Sequence, residues 1–155
     1  MYIFRKMTQE QAEDIASNWH YNDEYSFYDI DADEEDLVEF LDPKKRGDSM
    51  FVVMSSKDII GYFYFNRVYK GIIDIGLGLK PNLTGNGGGV EFLKAGLDFA
   101  EFTYNPDQIT LSVAIFNQRA INVYKKVGFE EVETFIQNTN GGCFEFLKMT
   151  YPCVR

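Results

Sequence analysis

Two rhythms of apolar and polar positions run along the chain and divide it into elements. Period-two alternation marks strands. It is clearest at Ile109, Leu111, Val113 and Ile115, a strand over 109–115, and strands are also expected over residues 2–6, 50–55, 59–68 and 72–79. Ser56-Lys57-Asp58 reads as a hairpin turn between two of these, and Pro81 ends the last. Helical spacing puts Ala12, Ile15, Ala16 and Trp19 on one face, after Thr8-Gln9-Glu10-Gln11, which has the form of a capping box. A second helix is expected over 34–41, capped by Asp33 and stopped near Pro43, with an acidic first turn that suits the helix dipole. Over 88–104, Val90, Leu93, Leu97 and Ala100 form one apolar stripe and Phe92, Gly96 and Phe99 a second, so this helix should be largely buried. Asn117 caps a helix running to Val127, with Gly128 just past its end. Strands over 129–137 and 143–151 flank a turn at Asn140-Gly141-Gly142.

The resulting order is β-α-α-β-β-β-α-β-α-β-β. Hairpins imply antiparallel pairing, and one crossover, from strand 72–79 through helix 88–104 to strand 109–115, implies one parallel pair. The expected fold is therefore α+β, a mixed and mostly antiparallel sheet with helices on its faces. A chain of 155 residues fits one domain, 1–155, and no repeat or linker divides it.

Charge narrows the partners. A formal charge of −9 gives no basic surface for a phosphate backbone, so nucleic acid is excluded as a partner. Between Tyr21 and Asp42 stand ten acidic residues and no lysine or arginine. That asymmetry sets up a field for cationic ligands, unless the acids only solvate a helix start and a loop. No segment has the apolar length to cross a bilayer, and no long apolar run follows the charges of residues 1–7, so a cytoplasmic location is expected. Cys143 and Cys153 lie in one extended stretch, about 30 Å apart at ~3.3 Å per residue, too far for a disulfide. With one histidine and two cysteines, no metal site is expected.

The most informative stretch is 74–90. Thr84-Gly85-Asn86-Gly87-Gly88-Gly89 sets four glycines between a strand and a helix. Backbone without Cβ atoms can curl and aim successive N–H groups at one point, at the positive end of a helix dipole, which suits a pyrophosphate. Taken alone, the loop reads equally as a tight turn. A nucleoside-triphosphate loop would need lysine and a hydroxyl residue where Val90-Glu91 stands, and the dinucleotide pattern fails at Val90 and Pro81.

These residues resemble the GCN5-related N-acetyltransferases. The family's phosphate motif, Arg or Gln followed by x-x-Gly-x-Gly or Ala, falls on 84–89, with Thr84 in place of Arg or Gln. Asp74-Ile75-Gly76 and Leu79-x-Pro81 match the strand before it, and Asn117, Ala120, Ile121, Tyr124, Gly128 and Phe129 match the family's second signature. The two motifs cover about positions 74–129, and the element order fits along the rest.

The resemblance implies a fold in which the parallel strands splay and the pantetheine arm of acetyl-CoA lies between them. Leu77, Gly78 and Leu79 would hold the arm, with the Leu79 N–H polarising the thioester carbonyl. Thr84, Gly85, Asn86, Gly87, Gly88 and Gly89 would hold the pyrophosphate, and Asn117 would contact the arm from the far side. Tyr124 would protonate the leaving thiolate, a phenol of pKa ~10 being matched to a thiolate of similar basicity; as a bare pattern it is also a core tyrosine at helical spacing. Asp74 would draw the proton from the amine through water, or serve only structure. The acceptor pocket would take Trp19, Tyr25 and Tyr28, with Tyr21 and Phe27, and aromatic faces among acids suit a cationic amine of a small molecule or peptide. The second reading is a non-catalytic acyl-CoA-binding module, which the shortened side chain at Thr84 permits. Monomer and homodimer both stay open.

Overall fold

The computed structural model describes residues 2–85 and 87–153. Its centre is one seven-stranded sheet in the order β1-β2-β3-β4-β5-β7-β6. The strands are β1 Tyr2–Lys6, β2 Met50–Ser55, β3 Asp58–Tyr69, β4 Ile72–Leu79, β5 Gln108–Ala114, β6 Glu130–Thr139 and β7 Gly142–Pro152. Every pairing is antiparallel except that of β4 with β5, as the crossover required. The helices are α1 Gln9–Asn18, α2 Glu34–Leu41, α3 Pro43–Arg46, α4 Gly89–Tyr104 and α5 Gln118–Val127.

Local chemistry explains the helix starts. The Thr8 hydroxyl accepts from the Gln11 N–H at 3.1 Å, and the Gln11 side chain accepts from the Thr8 N–H at 2.9 Å, so the capping box is closed in both directions. Asp33 accepts from the Asp36 N–H at the head of α2. Pro43 does more than end α2. Its fixed φ and missing N–H suit a first helical position, and it opens α3 behind the Asp42 cap. Buried Arg46 then donates to the Phe40 carbonyl and the Gln9 side chain, tying α3 to α2 and α1. The stretch between α1 and α2, which carries no period in sequence, folds as two 3₁₀ turns, Asp23–Tyr28 and Ile30–Ala32.

Two cores lie on opposite faces of the sheet. The larger packs α4 and α5 on Phe63, Phe65, Ile73, Ile75, Leu111, Val113, Leu147 and Met149. Here Gly96 lets α4 approach the sheet, since a Cβ at that position would lie 2.2 Å from the Phe63 ring. The smaller packs Ala12, Ile15, Ala16, Trp19 and Phe40 on Val52 and Tyr62. The 3₁₀ segment lies on this second face as well, where Phe27 meets Phe144 and Phe146 at 4.8 and 6.0 Å between centroids. Asn140, in the β6–β7 turn, donates to the Asp33 carboxylate and the Phe27 carbonyl and fixes the segment from its far end. Cys143 and Cys153 are not joined by a disulfide.

Candidate active site

The parallel pair is a fork. β4 and β5 pair only at Ile72, Ile73 and Asp74, against Gln108, Ile109 and Thr110. Beyond that rung each strand follows its outer neighbour, β4 along β3 to Leu79 and β5 along β7 to Ala114. The Lys80 N–H bonds the Ile60 carbonyl on β3, so by alternation the backbone groups of Leu79 and Leu77 face the opening. On the other prong the Ile115 N–H bonds Glu145 on β7, which turns the Ala114 N–H inward.

Open strand edges inside a protein leave polar groups needing partners. Two phenols supply them. The Tyr21 hydroxyl donates to the Leu79 carbonyl at 2.8 Å, and the Tyr28 oxygen accepts from the Ala114 N–H at 3.1 Å. Each prong is thereby tied to the stretch between α1 and α2, which roofs the fork on the face away from α4 and α5. Tyr62 covers the β4 backbone beside them, its ring 2.4 Å from where a Gly78 Cβ would sit, so only glycine fits there.

Beyond the open end of β4 lies the glycine loop. Gly85 and Gly87 take φ of 78° and 82°, and a Cβ on Gly87 or Gly88 would meet only open space. The backbone thus curls around a hollow at the start of α4, where a helix N-terminus favours an anion. The Thr84 hydroxyl donates to the Pro81 carbonyl at 2.7 Å, so its one proton is spent inside the loop. Positive charge comes instead from α5. Arg119 lies over the Tyr25 ring at 4.1 Å, with a nitrogen 3.4 Å from the site of a Gly85 Cβ, and Lys126 lines the same cavity. These loop amides and two cations fit the phosphates of a coenzyme A.

Fork, loop and roof enclose one cavity of about 660 Å³. It passes between the strands, with Val90, Leu93, Ala120, Val123 and Tyr124 on the α4/α5 side and Tyr21, Tyr25, Tyr28 and Tyr62 on the other. Among the described residues no carboxylate lines it. Burial pushes the Tyr124 phenol well above its ordinary range, with the nearby Tyr28 adding to the effect, and burial pushes Tyr62 up to about 12. Tyr28 is also raised by burial, against opposing hydrogen bonds from Asn117 and the Ala114 N–H. All three stay protonated at neutral pH, as proton donors and not bases. Asp74 sits at the last rung of the fork. It accepts from Thr110 Oγ1 at 2.7 Å, and burial raises its carboxyl.

Residues 2–130 match the family model of the acetyltransferase (GNAT) domain. The chain belongs to the GNAT acetyltransferases. As a member it is an enzyme, an acyltransferase. Solved structures agree on the fold. The spermidine N-acetyltransferase of Vibrio cholerae, in complex with CoA and spermine, superposes with a TM-score of 0.73 at 20% identity, covering 97% of this chain and 95% of that one. A GNAT-family acetyltransferase of Bacillus anthracis gives 0.73 at 17% identity, covering 97% and 94%. No curated protein matches the chain by sequence.

Most of the residues that the GNAT motifs single out converge on the cavity: Leu77, Gly78, Leu79, Thr84, Gly85, Gly87, Gly89, Asn117 and Tyr124 line it. Asn117 also caps α5, accepting from the Ala120 N–H. Gly88 caps α4 outside the lining, and Asn86 lies outside the described residues. Tyr25 and Tyr28 line the roof, but Trp19 does not. It is 5% exposed, packed in the smaller core with its ring 5.9 Å from Tyr62, because it is the last member of the α1 apolar stripe. The acids of α2 stay out of the cavity as well; Asp33 is occupied by its cap and the β6–β7 turn. Tyr21, expected in the acceptor pocket, also lines the cavity, while Tyr62, Arg119 and Lys126 are cavity residues the sequence reading missed. Position 119 had a usable signal, since it lies two residues past the Asn117 cap, on the α5 turn that faces the loop.

Proposed function

We propose that this GNAT enzyme transfers the acetyl group of acetyl-CoA to a primary amine by direct attack within a ternary complex. One observation carries the reading: the inward-facing backbone of Leu77 and Leu79, the glycine loop and Tyr124 all border one cavity that runs through the fork. Acetyl-CoA supplies the activated thioester. Backbone amides of the glycine loop, with Arg119 and Lys126, hold its phosphates. Leu77 and Leu79 offer the arm a strand edge that β5 does not cover, and the Leu79 N–H, rigid in β4 while the Leu79 carbonyl is held by Tyr21, is a fixed donor for a thioester oxygen that gains charge. Tyr124 donates the proton that the departing sulfur needs.

The amine comes from the roofed face. At neutral pH it arrives as an ammonium and must shed a proton before nitrogen can bond to the carbonyl carbon. Asp74, on that face at the root of the fork and raised by burial, is the nearest carboxylate in the fork to take the proton through water. Four tyrosines line the roof, of which Tyr25 already carries Arg119 over its ring, while the acids outside the cavity set a field that attracts a cation. The acceptor class is therefore a cationic amine. The amine bound by the Vibrio cholerae relative, spermine, belongs to that class and heads the panel to be tried.

The test is calorimetric titration with acetyl-CoA, ATP serving as control, followed by thiol release with spermine, spermidine and lysine peptides. Selective binding and amine-dependent release are expected. Binding without release under any amine would favour the acyl-CoA-binding module, and no binding at millimolar acetyl-CoA would end both readings.

A further inference from the structure

Because the cavity crosses the sheet, an acyl group held from the α4/α5 side points through the fork at the roof. What it meets there is fixed. Tyr21 is bonded to Leu79 on one prong and Tyr28 to Ala114 on the other, so two rings stand across the opening with their hydroxyls anchored to opposite strands. Tyr28 is further held by Phe27 and Phe116, at 5.3 and 6.0 Å between centroids, and Phe27 in turn packs on Phe144. The Tyr28 ring sits in an aromatic cluster continuous with the sheet, so yielding to a longer chain costs that ring packing as well as the two hydrogen bonds that anchor Tyr21 and Tyr28 to the prongs.

We propose that Tyr21 and Tyr28 form a stop that sets the length of the acyl group, confining the enzyme to short acyl donors. The inference rests on the acyl-CoA reading above. An apolar site with room to spare would behave in the opposite way, since each added methylene it buried would tighten binding about fourfold. The stop reverses that trend at the chain length where the acyl tip reaches the rings.

The experiment titrates CoA, acetyl-CoA, butyryl-CoA and hexanoyl-CoA into the wild-type protein and into Tyr28→Phe, Tyr28→Ala and Tyr21→Ala. Wild type is expected to bind hexanoyl-CoA at least about tenfold more weakly than acetyl-CoA. Tyr28→Phe keeps the ring and its aromatic packing, and should keep most of that discrimination. Either alanine variant should erase or invert it, read as the ratio of hexanoyl-CoA to CoA affinity measured within that variant. Wild-type affinity that holds or rises from acetyl to hexanoyl overturns the stop, and this arm needs no variant to fold. So does an alanine variant that binds CoA normally and discriminates as wild type does. If wild type binds none of the four, the acyl-CoA reading itself has failed and the stop falls with it, an outcome distinct from the other two.

Discussion

Tyr124 and Arg119 both stand on α5, one turn apart from neighbours that only pack, and the cavity gives them opposite tasks. A buried phenol gains nothing by ionising, so Tyr124 keeps its proton until a stronger base appears beside it. Tyr124→Phe should lower kcat about a hundredfold or more while leaving acetyl-CoA affinity unchanged, as steady-state rates and a binding titration will show. Arg119 does the reverse, contributing to binding alone. Because the Thr84 proton is committed to Pro81, the guanidinium is the strongest donor near the loop. Arg119→Ala should weaken acetyl-CoA binding about tenfold with kcat at saturation preserved, and lysine at 119 should restore part of the loss.

Elements show how firmly the roof and the sheet are built. Both ring nitrogens of His20 face acceptors, the Asp29 carboxylate at 3.0 Å and the Ser17 carbonyl at 2.9 Å, and Asp31 adds further negative charge. Satisfying both acceptors takes two N–H groups, so the imidazolium is favoured and its pKa is raised, chiefly by the hydrogen bond to Asp29. The other Asp29 oxygen accepts from the Tyr21 N–H, which links this pair to the roof. A raised histidine stabilises fully below its unfolded pKa of about 6.5, and that help fades as pH climbs through the folded value. NMR titration should find His20 above 6.5, and Asp29→Asn should return it toward 6.5. Under the sheet, Gly96→Ala should lower stability, where the same change on an exposed helix would raise it. The new methyl meets Phe63, an overpacking cost of about 1–3 kcal/mol, visible as a Tm lower by a few degrees.

The same elements show what a sequence can disclose. α1, α4 and α5 were legible because caps and apolar stripes are local signals, read without knowing the partner. The fork was legible only through its motifs, since nothing in Ile72–Leu79 alone says that pairing with β5 stops after Asp74. The roof was legible only through the family resemblance, which put Tyr21, Tyr25 and Tyr28 in the acceptor pocket without saying how they are held. Its aromatics follow no period, and their roles come from long-range bonds such as Tyr21 to Leu79 and Tyr28 to Ala114. Trp19 misled for the same reason: a tryptophan beside tyrosines and acids resembles a pocket residue until its helical register is seen to point into the core.

Over the whole molecule, charge would sort the two proposed substrates. The protein carries −9 overall, yet its cavity is lined by Arg119 and Lys126 and by no carboxylate among the described residues. An anionic acyl donor meets repulsion at long range and attraction only on arrival, while a cationic amine is drawn in from a distance. Raising salt from about 10 to 150 mM shortens the screening length from roughly 30 to 8 Å. kcat/KM for the amine should therefore fall severalfold, while kcat/KM for acetyl-CoA should change less or rise. Steady-state kinetics at the two ionic strengths will separate them.

Trp19 is the single tryptophan of the chain, two residues before Tyr21 and in ring contact with Tyr62. Nature has thus left one indole emitter at the root of the roof and outside the cavity. Its fluorescence will be blue-shifted by burial, and its side chain is not part of the cavity lining. A change in that light on adding a substrate, once corrected for absorbance by the ligand, will report a shift passed on through Tyr62, with no label attached.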